Sequence, residues 1–297
     1  MQFRFLEYFI ALAEERHFAR AATRCHVTQP TLSAGIANLE ARLGKRLVQR
    51  DRRFVGLTAE GEAILPHARR LVAGHDEMRL AINAAGSLRG EMRLGCIPAA
   101  MPYAGRFVGA LARAYPELRV AIRQLTSDFI VRGLAGFELD AGLTYLDGDP
   151  LGNMVAVALY SERYCLAVHP GSPLAVHHEV TLAQAVTEPL CLLHQGMQNR
   201  RILDTHFARR QVQVSAVATT DSYLALLSMV ARGGLNSIVT DSHADYIAPE
   251  TGVRLIPIAD LPETNSVGLL VAAPEPMAPV ARAALMTAQL LRASDRE

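Results

Sequence analysis

The sequence predicts an α/β protein overall: a small helical head with a two-stranded wing, then one long linker helix, then a two-lobed α/β domain. Three observations predict it. A helix–turn–helix pattern with a basic hairpin behind it fills the first 58 residues, an apolar seam recurs from Ile64 to Ile82, and strand and helix patterns alternate from residue 90 onward. Two domains suit a chain of 297 residues, half of them hydrophobic. The expected division is 1–58 for the head, 59–89 for the linker helix and 90–297 for the two-lobed domain. Within the last, lobe one takes about 90–160 and 266–297, and lobe two about 161–265.

In the head, Ala21 to Ser33 reads as helix, tight turn, helix. Thr28 suits an N-cap, because its hydroxyl accepts from a first-turn N–H that has no partner in the helix. Pro30 is tolerated there, where no intrahelical donor is lost. Leu32, Ile36, Leu39 and Leu43 repeat at four- and three-residue steps and define a buried face. The opposite face carries Gln29, Pro30, Ser33, Ala34 and Ala37, all small or polar. A surface helix ordinarily covers its outer face with charge, whereas one lying deep in the major groove needs short side chains and a few hydrogen-bonding tips. Gly44 is placed to end this helix in the left-handed conformation.

Behind it, Leu47–Val48 and Val55–Leu57 read as short strands around a basic tip. Arg42, Lys45, Arg46, Arg50, Arg52 and Arg53 stand against the single acid Asp51, and the planar guanidinium fork matches phosphate oxygens. The net charge of +1 hides an asymmetry. Residues 1–90 hold 14 Lys and Arg against 9 Asp and Glu, so only the N-terminal part suits a polyanion.

From Phe3 to Ala68 the chain resembles the DNA-binding half of the LysR-type transcriptional regulators. The resemblance rests on Phe9 and Ala13, Phe18 with Arg20-Ala21-Ala22, Val27-Thr28-Gln29-Pro30 with Leu32-Ser33, and Ile36 with Leu39-Glu40. It continues through Leu43-Gly44, Arg46-Leu47, Arg50, Leu57-Thr58, Glu60-Gly61 and Pro66. Where the family often carries Arg then Gln after the serine, this chain has Ala34 and Gly35. The resemblance implies sequence-specific binding of double-stranded DNA, with Arg20, Thr28, Gln29, Pro30, Thr31 and Ser33 on the head and Arg50 and Arg53 on the wing as the contacts. It also implies a dimer built by the long helix, a homotetramer made of two such dimers, and a small-molecule effector bound by a periplasmic-binding-protein-like domain.

The long helix is expected from Thr58 to about Gly86, with Ile64, Leu71, Met78 and Ile82 on a dimerisation seam sustained over about three heptads. Pro66 is expected to kink it unless its neighbours compensate, and His75 is the one polar group on the seam.

Strand and helix then alternate, which argues for parallel strands with right-handed crossovers. Strands are expected at Glu91–Ile97, Leu118–Leu125 (with Val120, Ile122 and Gln124 inward), Leu139–Tyr145, Tyr164–Val168, Leu190–Leu193, Val214–Thr219, Leu235–Val239 and Ser266–Ala273. The closing helix, Pro279–Leu291, returns to lobe one. In such folds ligands sit where strand ends meet helix starts. The expected effector contacts are therefore Pro98, Ala100, Met101, Thr126, Ser127, Met197, Gln198 and Thr220. Ala99 and Ala100 stand where the family often has a serine or threonine, which points to a small anionic or partly apolar metabolite; Arg200 and Arg201 are the nearby sources of charge.

Enzymatic chemistry finds no support: there is no glycine-rich phosphate loop and no Gly-x-Ser-x-Gly elbow. His177 and His178 are adjacent and make no metal pair, and Cys25, Cys96, Cys165 and Cys191 lack Cys-x-x-Cys spacing. No metal or cofactor is expected. The cysteines also differ in placement from those of a peroxide-sensing member of the resembled family. No membrane span or secretory signal is evident, so a cytoplasmic regulator is the reading. The alternative is a metabolite-binding protein or enzyme with an accessory basic head, which a gel shift against a turnover screen would separate.

Overall fold

A computed structural model describes residues 3–50, 54–82, 88–147, 153–261, 265–273 and 277–295. Arg53 lies outside them, as do the side chains of Arg50 and Ile82. In the head, α1 (Phe3–Glu15), α2 (Phe18–Arg24) and α3 (Gln29–Leu43) enclose Leu6, Phe9, Leu12, Leu32, Ile36 and Leu39. Leu43, expected on the buried face, is exposed in the last turn of α3, which ends at Gly44, φ +66°. The wing pairs β1 (Val48–Arg50) antiparallel with β2 (Phe54–Leu57). Its base is pinned by the buried Glu40 carboxylate, which accepts from the N–H groups of Leu47 at 2.9 Å and Val48 at 3.1 Å.

Thr58 caps α4 (Ala59–Ile82) by accepting from the Gly61 N–H at 3.0 Å. The helix runs past Pro66, which sits in its second turn. Leu65 and Ala68 are buried, and Ile64 and Val72 half-buried, against the head. Ile64, expected on the seam, is thus half-buried against its own head, and α4 from Ile64 to Val72 completes the head core. Leu71 and Met78, further along, are exposed by 48% and 56%. His75 stacks on Phe3 with ring centroids 4.5 Å apart.

Two five-stranded sheets follow. Lobe one contains β3 (Gly90–Cys96), α5 (Met101–Ala114), β4 (Leu118–Gln124), α6 (Ser127–Ala135), β5 (Ala141–Tyr145) and β6 (Met154–Glu162). Lobe two contains β7 (Tyr164–Val168), α7 (Leu182–Ala185), β8 (Leu190–Leu193), α8 (Gln198–Arg209), β9 (Ala216–Thr220), α9 (Tyr223–Gly233), β10 (Asn236–Thr240) and β11 (Arg254–Pro257). The chain ends with β12 (Asn265–Ala272) and α10 (Pro279–Ser294). The orders are β4-β3-β5-β12-β6 and β11-β7-β10-β8-β9.

Three strands of each sheet are parallel, as the alternation predicts. The others are antiparallel: β12 to β5 and β6, and β7 to β10 and β11. The sheets are mixed because β6 and β12 carry the chain between lobes in opposite directions and pair along their length. Strands β6 and β11 were not expected. Ile122 and Gln124 are exposed rather than inward, since β4 is an edge strand. Helix α10 packs on α5, β6 and β12, returning the chain to lobe one.

Candidate DNA interface and effector cavity

On the head, Gln29, Pro30, Thr31, Ala34 and Ala37 are exposed along one face of α3, and Ser33 is half-buried at its edge. The Thr28 hydroxyl accepts from the Thr31 N–H at 3.3 Å and lies 2.8 Å from the Thr31 hydroxyl, so both threonines are engaged at the helix start. Arg20 is exposed on α2 and reaches back to Glu15, its Nε 3.6 Å from the carboxylate. Gly35 is buried. A Cβ there would stand 2.5 Å from the Tyr8 ring, so the glycine lets α3 lie against α1. The bare outer face and the tight inner contact together present a slim helix edge, which is what groove entry needs.

Between the lobes lies a narrow cavity lined by Ile97, Pro98, Ala99, Thr126, Ser127, Tyr145, Leu193, Met197, Gln198, Asn199 and Tyr223. Of the expected contacts, Pro98, Thr126, Ser127, Met197 and Gln198 meet there. Three do not. Ala100 is fully buried in the core of lobe one, and Met101 turns outward, 38% exposed. The Thr220 hydroxyl accepts from the Ser222 N–H at 3.1 Å beyond the end of β9. Asn199, in the same loop-to-helix segment as Gln198, joins those that meet at the cavity; sequence reasoning missed Tyr145 and Leu193, which end β5 and β8, and Tyr223, which begins α9.

Two helix starts frame the cavity. The α6 start is capped by Thr126, whose hydroxyl accepts from the Phe129 N–H; α8 has Met197 at its N-cap position, which offers no side-chain cap. The Ser127 hydroxyl is buried without a hydrogen-bond partner, and the Tyr223 hydroxyl, beside Thr240, also lacks a partner of good geometry. Among the described residues no cationic side chain lines the wall. Arg200 turns away to the Leu193 carbonyl at 2.8 Å and Asp204 at 2.7 Å. Arg201 meets Asp128 of the other lobe at 3.2 Å, a solvent-exposed pair of small energetic weight. Further lobe-to-lobe contacts are Tyr246 Oη to the Pro102 carbonyl at 3.0 Å and Gln124 to the Asp221 carbonyl at 3.5 Å. Among the described residues no cluster suits a metal ion, and no helix is long and apolar enough to cross a membrane.

The family model described as the LysR substrate binding domain matches residues 85–290, and that of the lysR-family bacterial regulatory helix-turn-helix protein matches residues 3–62. The chain belongs to the LysR family. As a LysR-type transcriptional regulator it carries a DNA-binding helix-turn-helix and an effector-binding α/β domain, acts as an oligomer, and is a regulator rather than an enzyme. This LysR regulator is 39% identical over 195 residues to a probable hydrogen peroxide-inducible genes activator of Mycobacterium avium; the match spans 64% of this chain and 62% of that protein, just under two thirds. In structure it resembles a full-length OxyR variant from Pseudomonas aeruginosa, with a TM-score of 0.77, 26% identity and coverage of 98% and 95% of the two chains. It also shares the fold of full-length CbnR complexed with its target DNA, at a TM-score of 0.67, 24% identity and coverage of 98% and 100%.

Proposed function

We propose that the cavity between the lobes is the effector site of this regulator, and that its occupant is a small anionic or partly apolar metabolite. The observation that carries this reading is the Ser127 hydroxyl, buried at the cavity wall without a partner. An unpaired buried hydroxyl costs about 1–3 kcal/mol, so a ligand that completes it gains a corresponding advantage. The uncapped N–H groups at the start of α8 favour a negative end, and Ile97, Pro98, Leu193 and Met197 receive an apolar remainder. With no cation on the wall, one carboxylate or carbonyl fits better than a polyanion. Binding to both lobes shifts their relative arrangement and, through α4, the spacing of the DNA-reading heads of a dimer or of paired dimers.

The name of the mycobacterial relative raises a second reading, a cysteine-based response to peroxide. Thiol placement speaks against it. None of the four cysteines lines the cavity, and burial raises every thiol, Cys96 to about 12 and Cys165 to about 11, whereas the thiolate is the reactive form. Free thiols fit a reducing compartment, and we assign this regulator to the cytoplasm.

Native mass spectrometry of freshly purified protein will identify a retained molecule, and thermal shift with short mono- and dicarboxylates will screen for one. A ligand that stabilises the wild type is expected to bind Ser127→Ala about tenfold more weakly, the loss of one buried hydrogen bond. Thr126→Val and Gln198→Leu weaken it likewise, while DNA binding in a gel shift is retained. Wild-type ligand response in all three variants would place the effector elsewhere.

A further inference from the structure

The two lobes meet behind the cavity at Glu162. It is the last residue of β6 and pairs with Asn265, the first of β12, so it sits where both connecting strands pass from one sheet to the other. Its carboxyl is fully buried. Oε1 accepts from Tyr145 Oη of lobe one at 2.5 Å, and Oε2 lies 3.1 Å from Ser242 Oγ of lobe two. Each arm continues to the cavity wall. Tyr145 Oη accepts from Asn199 Nδ2 at 2.8 Å, and both residues line the cavity. Ser242 Oγ lies 3.3 Å from His243 Nδ1, and the His243 ring stacks 3.8 Å from that of Tyr223, a third wall residue. Ser242 Oγ also stands 3.5 Å from the Ala99 carbonyl of lobe one.

We propose that Glu162 is a positioning residue for the effector cavity and acts as a proton-carrying joint between the lobes, closed when its carboxyl is neutral and loosened when it ionises. The proposal rests on the cavity being the effector site and adds how that site is coupled to the hinge. The proton balance follows from the partners. A neutral carboxyl donates from Oε2 to Ser242 Oγ, which leaves the serine proton free for Thr240 Oγ1 at 2.9 Å or, across the lobe boundary, the Ala99 carbonyl at 3.5 Å. An ionised carboxylate has no proton to give. Both Tyr145 and Ser242 must then donate to it, and the Ser242–Ala99 bridge is lost.

The surroundings favour the neutral form. The groups that face Glu162 are Tyr145 on β5, Tyr160 on β6 itself, Tyr164 on β7, Tyr223 on α9, Thr240 on β10, and Asp241, Ser242 and His243 in the turn at Asp241–Tyr246. Burial raises the carboxyl from its ordinary 4.5 to about 7, against the lowering effect of the Tyr145 and Ser242 hydrogen bonds, with Asp241 adding to the rise. Burial lowers His243 to about 4, so it brings no positive charge. Arg163, the next residue, is exposed, and its backbone N–H donates to Asp241 at 3.0 Å.

The test compares full-length wild type with Glu162→Gln, Tyr145→Phe and Ser242→Ala, without effector or DNA, so that it stands apart from the cavity reading. Between pH 4.5 and about 7 the folded chain holds a proton that the unfolded chain has released, so stability falls as pH rises and levels off above the folded value. Relative to Glu162→Gln, the wild-type ratio of folded to unfolded chain is expected to drop roughly two orders of magnitude across that window. Tyr145→Phe and Ser242→Ala each remove a bond to the carboxylate and move the upper end of the window to higher pH; Thr126→Val leaves it in place. Small-angle scattering of the wild type shows expansion across the same window that Glu162→Gln lacks. A wild-type minus Glu162→Gln difference independent of pH, or a wild-type radius that does not change, overturns the proposal. Should Glu162→Gln fail to fold, an unmoved window in both outer variants overturns it equally.

Discussion

Gln29 extends from the first turn of α3 into solvent beside Thr31 and Ala34, while the Thr28 hydroxyl is held in the cap. A long amide at the N-terminal end of a groove-facing helix pairs with a base edge, so Gln29→Ala is expected to cost about 1–3 kcal/mol on the specific site and to relax discrimination there. Arg50→Ala, on the wing, should weaken specific and random DNA alike and reduce the slope of affinity against salt. Fluorescence anisotropy on both DNAs over a salt series measures this, and equal loss from Gln29→Ala on both would remove it from base reading. Gly35 is a different case on the same helix. Intrinsic propensity makes glycine there a cost of about 1 kcal/mol, but the 2.5 Å approach of a Cβ to Tyr8 makes any side chain worse. The neighbour responsible is 27 positions away, and no local pattern in the sequence reveals it.

The elements divide by where their signals come from. Helix α3 is legible because its limits are local: the Thr28 cap, Pro30 in the first turn, and the left-handed Gly44. The strand–helix alternation is legible for the same reason, while the direction of β7, β11 and β12 depends on which sheet the chain enters next. The cavity is half legible. Loops between strand and helix point to Pro98, Thr126, Ser127, Met197, Gln198 and Asn199, whereas Tyr145, Leu193 and Tyr223 join only once the lobes face each other. Helix α4 mixes the two cases, since periodicity places Ile64, Leu71 and Met78 on one line but cannot divide that line between the head and a second chain. Leu71 and Met78 remain uncovered in a single chain, so they fit the dimer contact of an oligomeric regulator. Leu71→Asp would place a charge in that contact without a partner. A smaller species in light scattering at micromolar concentration is expected, with weaker binding to DNA carrying two half-sites. An unchanged mass would mean that this part of α4 does not join the two chains.

Taken whole, the molecule must carry a change in the lobes to a head more than one element away, and its described contacts show one direct bridge. Arg69 of α4 is buried, with Nη1 on Glu138 just before β5 and Nη2 3.3 Å from Glu14 of α1; Arg24 of α2 closes on the same Glu14 at 2.6 Å. Four charges thus run from the reading head through the linker helix to lobe one. Breaking a fully buried ion pair costs about 3–5 kcal/mol and an exposed one about 0–1. Glu138 and Glu14 are 44% and 29% exposed in their side chains, which puts this bridge between those limits. Arg69→Gln keeps much of the volume and removes the cation, leaving Glu14 and Glu138 without the charge between them. The head core, built from Phe9, Leu32 and Ile36, does not depend on that charge, so binding of a single half-site should survive. What should be lost is the docking of head on lobe. Hydrogen exchange is expected to quicken at α1 and in the segment before β5 while β8 and β10 in lobe two exchange as before. If α1 and that segment keep wild-type protection in Arg69→Gln, the head is held to the lobe by apolar packing along α4, and the ion chain has no part in passing the effector signal to DNA.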